Sequence, residues 1–139
     1  MTFLKTTMAA LVMSLWAQTA SAQELEPNPA IEGTISSQIE AFRADDFAQA
    51  FTFASPNIQG MFGTPDNFGL MVRQGYPMVW RPGQLNFLEL RNDQGLLWQK
   101  VMVQDQDGVF FILDYQMIET PEGWRINGVY LVQAPTLGA

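Results

Sequence analysis

The sequence predicts an α+β fold: N-terminal helices packed over a curved antiparallel meander of four or more strands. Three observations carry this expectation. Apolar residues recur every three to four positions through the first half. After Trp80 they alternate every second position, and short turn sequences separate the alternating runs.

The elements follow in chain order. "QELEPNPA", residues 23–30, reads as a mobile acidic lead-in. Ile31, Ile35, Ile39 and Phe42 fall on one face of a helix, with Asn28 as its N-cap and Pro29 in the first helical position. "RADDFAQ" interrupts this helix. Asp46 and Gln49 stand three apart, as in a capping box, before a second stripe of Phe47, Ala50, Phe51 and Ala54. Ser55-Pro56 and Thr64-Pro65 repeat the start signal, and the helix after Thr64 carries Phe68, Met71 and Val72 and ends near Gly75.

"QLNFLELR" then opens the sheet. Its alternation changes phase between Phe87 and Leu88, which points to a bulge or to burial on both faces. "NDQG", "DQDG" and "TPEG" turn the chain into "LLWQKVMVQ", "VFFILDYQMI" and "WRINGVYLV". Loops this short join antiparallel neighbours. A single domain is expected over residues 31–134, with a C-terminal tail over 135–139.

The strand "VFFILDYQMI" is apolar on both faces. Val109, Phe111, Leu113, Tyr115 and Met117 share one, and Phe110, Ile112, Asp114, Gln116 and Ile118 share the other. Helices cover only one side. The second set is therefore expected to meet a partner, most simply a second copy of the chain related by a two-fold axis.

The start of the chain carries an export signal. Lys5 precedes the uncharged run "MAALVMSLW", and "ASAQ" places small residues before a cut after Ala22. The run is shorter than the roughly 20 apolar residues of a membrane-spanning helix. Residues 1–22 are thus expected to be removed, leaving a periplasmic or secreted protein without a stable membrane anchor. Removing 22 of 139 residues leaves 117, and loss of Lys5 takes the net charge from −7 to −8. Such an acidic chain, lacking any basic run, is not a nucleic-acid binder. It contains no cysteine and no histidine. That excludes thiol nucleophiles, thiolate metal sites, histidine-based triads and the usual zinc sites. No cofactor and no metal site is expected.

"FRADDFAQAFTFASPNIQGMFGTPDNFGLMVRQGYPMVWRP", the sheet and the closing "GWRINGVYL" resemble a family of exported bacterial proteins labelled domain of unknown function 4864. The resemblance runs from about Ile35 to Leu131, and "ASPNIQ…FG" and "GYPMVWRP" are its specific parts. "GWRI" is a weaker match, shared by many nuclear-transport-factor-2-like domains. That superfamily implies a cone of helices over a bent sheet with a pocket inside, and it spans binding domains, dimerisation modules and cofactor-free isomerases and dehydratases. No catalytic residue follows from the resemblance.

The segment "GYPMVWRPG", Gly75 to Gly83, lies where helices give way to strands. Tyr76 and Trp80 are candidate pocket walls, with Arg81 as an anion anchor. The competing expectation is a stiff connector whose rings plug the open end. Asp114 interrupts an apolar strand and is the one candidate acid or base, with Tyr76 or Tyr115 to polarise a carbonyl. Alternatively Asp114 sits at an interface or in solvent, paired with Arg125 or Lys100. Arg43, Asp45 and Asp46 form a charged junction, a candidate ligand-binding cluster whose signal helix capping by Asp46 mostly explains. "DQDG" fails as a calcium loop, because Phe110 and Gln116 stand where a glycine and a final acid are needed.

The expected function is a non-catalytic exported domain that binds a small apolar ligand or a protein partner. The alternatives are a cofactor-free acid/base enzyme of the isomerase or dehydratase type and a purely structural dimerisation module.

Overall fold

The computed structural model describes residues 22–137. The expected leader, but for Ala22, lies outside these residues. Five helices lie between the first strand and the other four of an open sheet whose strands follow one another in chain order. The helices are α1 (Pro29–Arg43), α2 (Phe47–Thr52), α3 (Pro56–Phe62), α4 (Pro65–Gly75) and α5 (Pro77–Trp80). The strands are β1 (Gln23–Leu25), β2 (Gln84–Asp93), β3 (Leu96–Gln104), β4 (Val109–Thr120) and β5 (Gly123–Leu137), all paired antiparallel in the order β1-β2-β3-β4-β5. No described helix is long and apolar enough to cross a membrane.

Each helix start is chemically marked. The Asn28 side chain accepts from Ala30 N at 3.0 Å and Ile31 N at 3.4 Å. Asp46 accepts from Gln49 N at 3.1 Å, Ser55 from Ile58 N at 3.2 Å and Thr64 from Asn67 N at 3.2 Å. Each bond satisfies an amide that the first helical turn leaves without a partner. Replacing Thr64 with Ala is expected to cost about 1 kcal/mol. The urea midpoint checks this, and an unchanged midpoint would show that the cap carries no stability.

The α1 stripe is fully used: Ile31, Ile35, Ile39 and Phe42 are all buried. They pack with Phe68 and Val72 of α4 onto Val101, Val103, Leu113, Tyr115, Met117 and Ile126 of the sheet. The expected sheet face is therefore the covered one. Gly69 admits α2 closely, since a Cβ there would lie 2.5 Å from the Phe47 ring.

The turns follow their sequences. Gln94 and Gly95 both take positive φ, 53° and 84°, as a two-residue hairpin loop requires. In the β3–β4 turn, Asp105 Oδ1 accepts from Asp107 N and Val109 N, both at 2.9 Å. That carboxylate is occupied in shaping the hairpin. The phase change in β2 is a bulge, with the register shifting between Phe87 and Leu90. The buried Gln99 side chain spans it and donates to Leu88 O at 3.1 Å.

Two expected boundaries need correction. Gln23–Leu25 is not a loose lead-in but an edge strand, paired with Asn92, Arg91 and Leu90 of β2. The tail expected over 135–139 also begins inside the sheet, because β5 continues to Leu137. In both places backbone pairing to a neighbouring strand, rather than an apolar pattern, sets the limit.

Candidate functional site

A cavity of about 370 Å³ opens between the helices and β5. α1 contributes Gln38 and Phe42. α3 gives Asn57, Ile58, Met61 and Phe62, and α4 gives Phe68, Met71 and Val72. Tyr76 and Val79 come from the segment around α5. Ile126 to Tyr130 and Gln116 form the sheet side. The walls are mainly apolar, and the polar lining consists of amides and tyrosines without a charged side chain.

The chain builds this space by pinning its second helical segment to β5. Ser55 N donates to Ile126 O at 2.8 Å, and Ile126 N donates to Phe53 O at 2.9 Å. Asn127 then bulges out of the β4–β5 ladder, since Met117 pairs with Ile126 and Gln116 with Gly128. The bulge brings Asn127 Oδ1 within 2.7 Å of the Ser55 hydroxyl, which donates to it. Asn127 Nδ2 in turn donates to Gln116 Oε1 at 3.2 Å. Gly128 leaves room for the Tyr130 ring, which a Cβ would meet at 2.9 Å. Tyr130 thereby lines the cavity and also meets Trp98 at a tilt of 60°, with centroids 5.7 Å apart.

Of the expected ligand residues, only Tyr76 lines the cavity. Its hydroxyl donates to Val129 O at 3.0 Å, tying the end of α4 to β5. Trp80 and Arg81 do not line the cavity and meet the α1–α2 corner instead. Trp80 Nε1 donates to Asp45 Oδ1 at 2.9 Å, and Arg81 Nη2 donates to the same oxygen at 2.8 Å. Arg81 Nη1 also donates to Phe42 O at 2.6 Å, while its guanidinium stacks 4.0 Å from the Trp80 ring. The pair clamps the α1–α2 corner, where Asp45 has a positive φ of 54°. The Trp80 indole N–H, and then the Arg81 guanidinium, hold the Asp45 carboxyl below its usual range. Arg81 is thus engaged by the Asp45 carboxylate and the Phe42 carbonyl. Asp46 caps α2, so the junction charges are accounted for structurally.

Tyr115 is fully buried, and its hydroxyl has no hydrogen-bond partner among the described residues. It does not line the cavity. Burial, with the Tyr76 phenol as a lesser cause, pushes its ionisation well above the ordinary tyrosine value. A raised native pKa preserves stability below the unfolded value, near 10, and loses it as pH rises beyond. Tyr115→Phe removes both the alkaline loss and the unpartnered hydroxyl. It is expected to stabilise the protein by about 1 kcal/mol at neutral pH. Urea midpoints of both proteins from about pH 8 to about pH 11 test this, with the gap widening at the alkaline end.

Asp114 lies on the sheet face away from the helices. Its partner is neither Arg125 nor Lys100 but Arg91, through two parallel bonds of 2.9 and 2.8 Å. Lys100 instead meets Glu89 at 3.0 Å. Asp114 raises the Arg91 guanidinium above its ordinary pKa by hydrogen bonding. The candidate acid is therefore committed to an ion pair and does not line the cavity.

Ser55, Gln116 and Asn127 were not among the sequence candidates. Their signal was present in "RINGVY", where Asn-Gly, a turn dipeptide, interrupts a strand and marks a bulge.

The family model described as "Domain of unknown function (DUF4864)" matches residues 24–139. No curated protein and no solved structure matches the chain.

Proposed function

Because the chain belongs to this family, whose description assigns no activity, we propose from the site itself that it is an exported, non-catalytic domain that holds a small, largely apolar molecule. The cavity carries this reading: about 370 Å³ walled by aromatic and Met side chains, with a few convergent polar groups. The export half rests on the leader sequence. The cone of the nuclear-transport-factor-2-like proteins is part of the same proposal and rests on the order of helices and strands together with the "GWRI" resemblance. An acid/base enzyme is the weaker reading, because no carboxylate lines the cavity and Arg91 holds Asp114.

The neutral fluorophore N-phenyl-1-naphthylamine tests the cavity. The wild type is expected to bind it saturably, and Met71→Trp, which fills the space, is expected to weaken binding about tenfold or more. Circular dichroism checks that the variant is folded. Absence of saturable binding to the wild type would overturn the proposal.

The outer sheet face supports a second reading, a two-fold homodimer. Phe110, Ile112, Trp98 and Met102 are only half-buried there, while the helices pack on the other side. Arg91–Asp114 and Lys100–Glu89 neutralise each other, so this face does not repel a copy of itself although the chain carries −7 overall. Sedimentation of the mature protein across a concentration range is expected to show a dimer that Ile112→Asp weakens. A monomer at high micromolar concentration, unchanged by that substitution, would sink this reading.

A further inference from the structure

We infer that the molecule held in the cavity is uncharged and presents a hydrogen-bond acceptor, a carbonyl oxygen, to the side-chain N–H of Gln116. This rests on the reading of the cavity as a ligand site and adds the chemistry of its polar end.

The direction of three linked hydrogen bonds carries the inference. Amide orientation is ordinarily ambiguous, because the oxygen and nitrogen of Asn and Gln are alike in shape. Here a helix start fixes it. Ser55 is buried, and its Oγ accepts the Ile58 N–H at 3.2 Å as the N-cap of α3. Its own proton has no other acceptor among the described residues than Asn127, 2.7 Å away, so the atom receiving it is Oδ1. Asn127 Nδ2 is then turned toward Gln116, and the atom it meets at 3.2 Å must be Oε1. That leaves Gln116 Nε2 as the open end, with no protein partner among the described residues. The relay thus ends in a donor, and each link polarises the next in the same sense. A ligand acceptor meets free N–H groups there, whereas a ligand donor has only the second lone pair of Oε1, whose first is taken by Asn127.

The lining decides the charge. No Asp, Glu, Lys or Arg is among the residues around the cavity. A carboxylate is a strong acceptor, but it would leave water without a cation to meet it. An ammonium would face a donor. A neutral carbonyl satisfies the amide at the smallest desolvation cost, while Phe62 and Met71 take the apolar body.

Four naphthalene probes of one shape test this: 2-acetylnaphthalene, naphthalene, 2-naphthoate and 2-naphthylmethylamine, each displacing N-phenyl-1-naphthylamine. The ketone is expected to displace it at about tenfold lower concentration than the other three, the effect of one added neutral hydrogen bond. In Gln116→Met the advantage of ketone over naphthalene is expected to vanish. In Gln116→Glu, which replaces the donor by an acceptor, the order is expected to invert. Equal displacement by ketone and naphthalene in the wild type overturns the inference while the cavity reading stands, and that result needs no variant to fold. A preference that survives Gln116→Met also overturns it. Failure of the wild type to bind any probe removes both readings.

Discussion

Asp114→Leu is expected to destabilise the protein by about 3 kcal/mol, because it leaves the Arg91 guanidinium without its partner on a partly closed face. The two side chains are only 18% and 11% exposed, so water replaces little of what is lost. Arg91 reaches Asp114 across the intervening strand, and its guanidinium lies 5.8 Å from the Trp98 ring. In the variant it must stay desolvated or swing out and abandon that packing. The double variant Arg91→Met with Asp114→Leu is expected to recover most of the loss, since apolar pairs of similar volume commonly replace such ion pairs at little cost. Urea denaturation of both singles and the double completes the cycle, at one fixed protein concentration, because dimerisation would make stability depend on it. A single variant within about 0.5 kcal/mol of wild type would mean that the pair behaves as a surface ion pair.

The same ion pair shows where sequence reasoning reached its limit. Lys100 stands directly opposite Asp114 in the ladder and was a natural partner. It is drawn instead to Glu89 on the other side. The long Arg91 side chain arrives from two strands away, and no local pattern encodes that crossing. Strand β1 was hidden for a related reason: three residues, paired through the backbone, carry no periodicity. By contrast, the α1 stripe, the Ser, Thr, Asn and Asp caps, the three turns and the β2 bulge were legible. Each is written in the spacing of neighbours along the chain.

The candidate site divides along the same line. Tyr76 could be picked out as an aromatic at the change from helix to sheet. Trp80 and Arg81 looked equivalent to it, yet their partner Asp45 lies 35 and 36 residues earlier, and it turns them into a clamp on the α1–α2 corner. The Ser55–Asn127 bond spans 72 residues. Its two ends are individually ordinary, a helix cap and a strand amide, and only the β5 bulge makes them one relay.

Phe68→Ala is expected to be the most damaging single truncation of the helical layer, costing about 3–5 kcal/mol. Phe68 is 5% exposed, and its ring meets one phenylalanine from each of the three preceding helices. The centroid distances are 5.8 Å to Phe42 of α1, 5.4 Å to Phe51 of α2 and 5.9 Å to Phe62 of α3. Phe68 therefore meets the apolar sides of all three earlier helices at once, and loss of its ring leaves a void that the helices close only in part. Phe68 also lines the cavity, so the void opens into the ligand space. That links stability to binding in a measurable way. N-phenyl-1-naphthylamine occupies the same apolar region, and a ligand that binds only the folded state stabilises it in proportion to its affinity. Saturating probe is expected to raise the Tm of Phe68→Ala by more than it raises that of the wild type, because the enlarged space regains apolar contacts that the truncation removed. Thermal unfolding of both proteins with and without probe provides the comparison. A variant as stable as wild type would show that Phe68 is not the junction of the helical layer, and equal or smaller probe shifts in the variant would separate this ring from the ligand space.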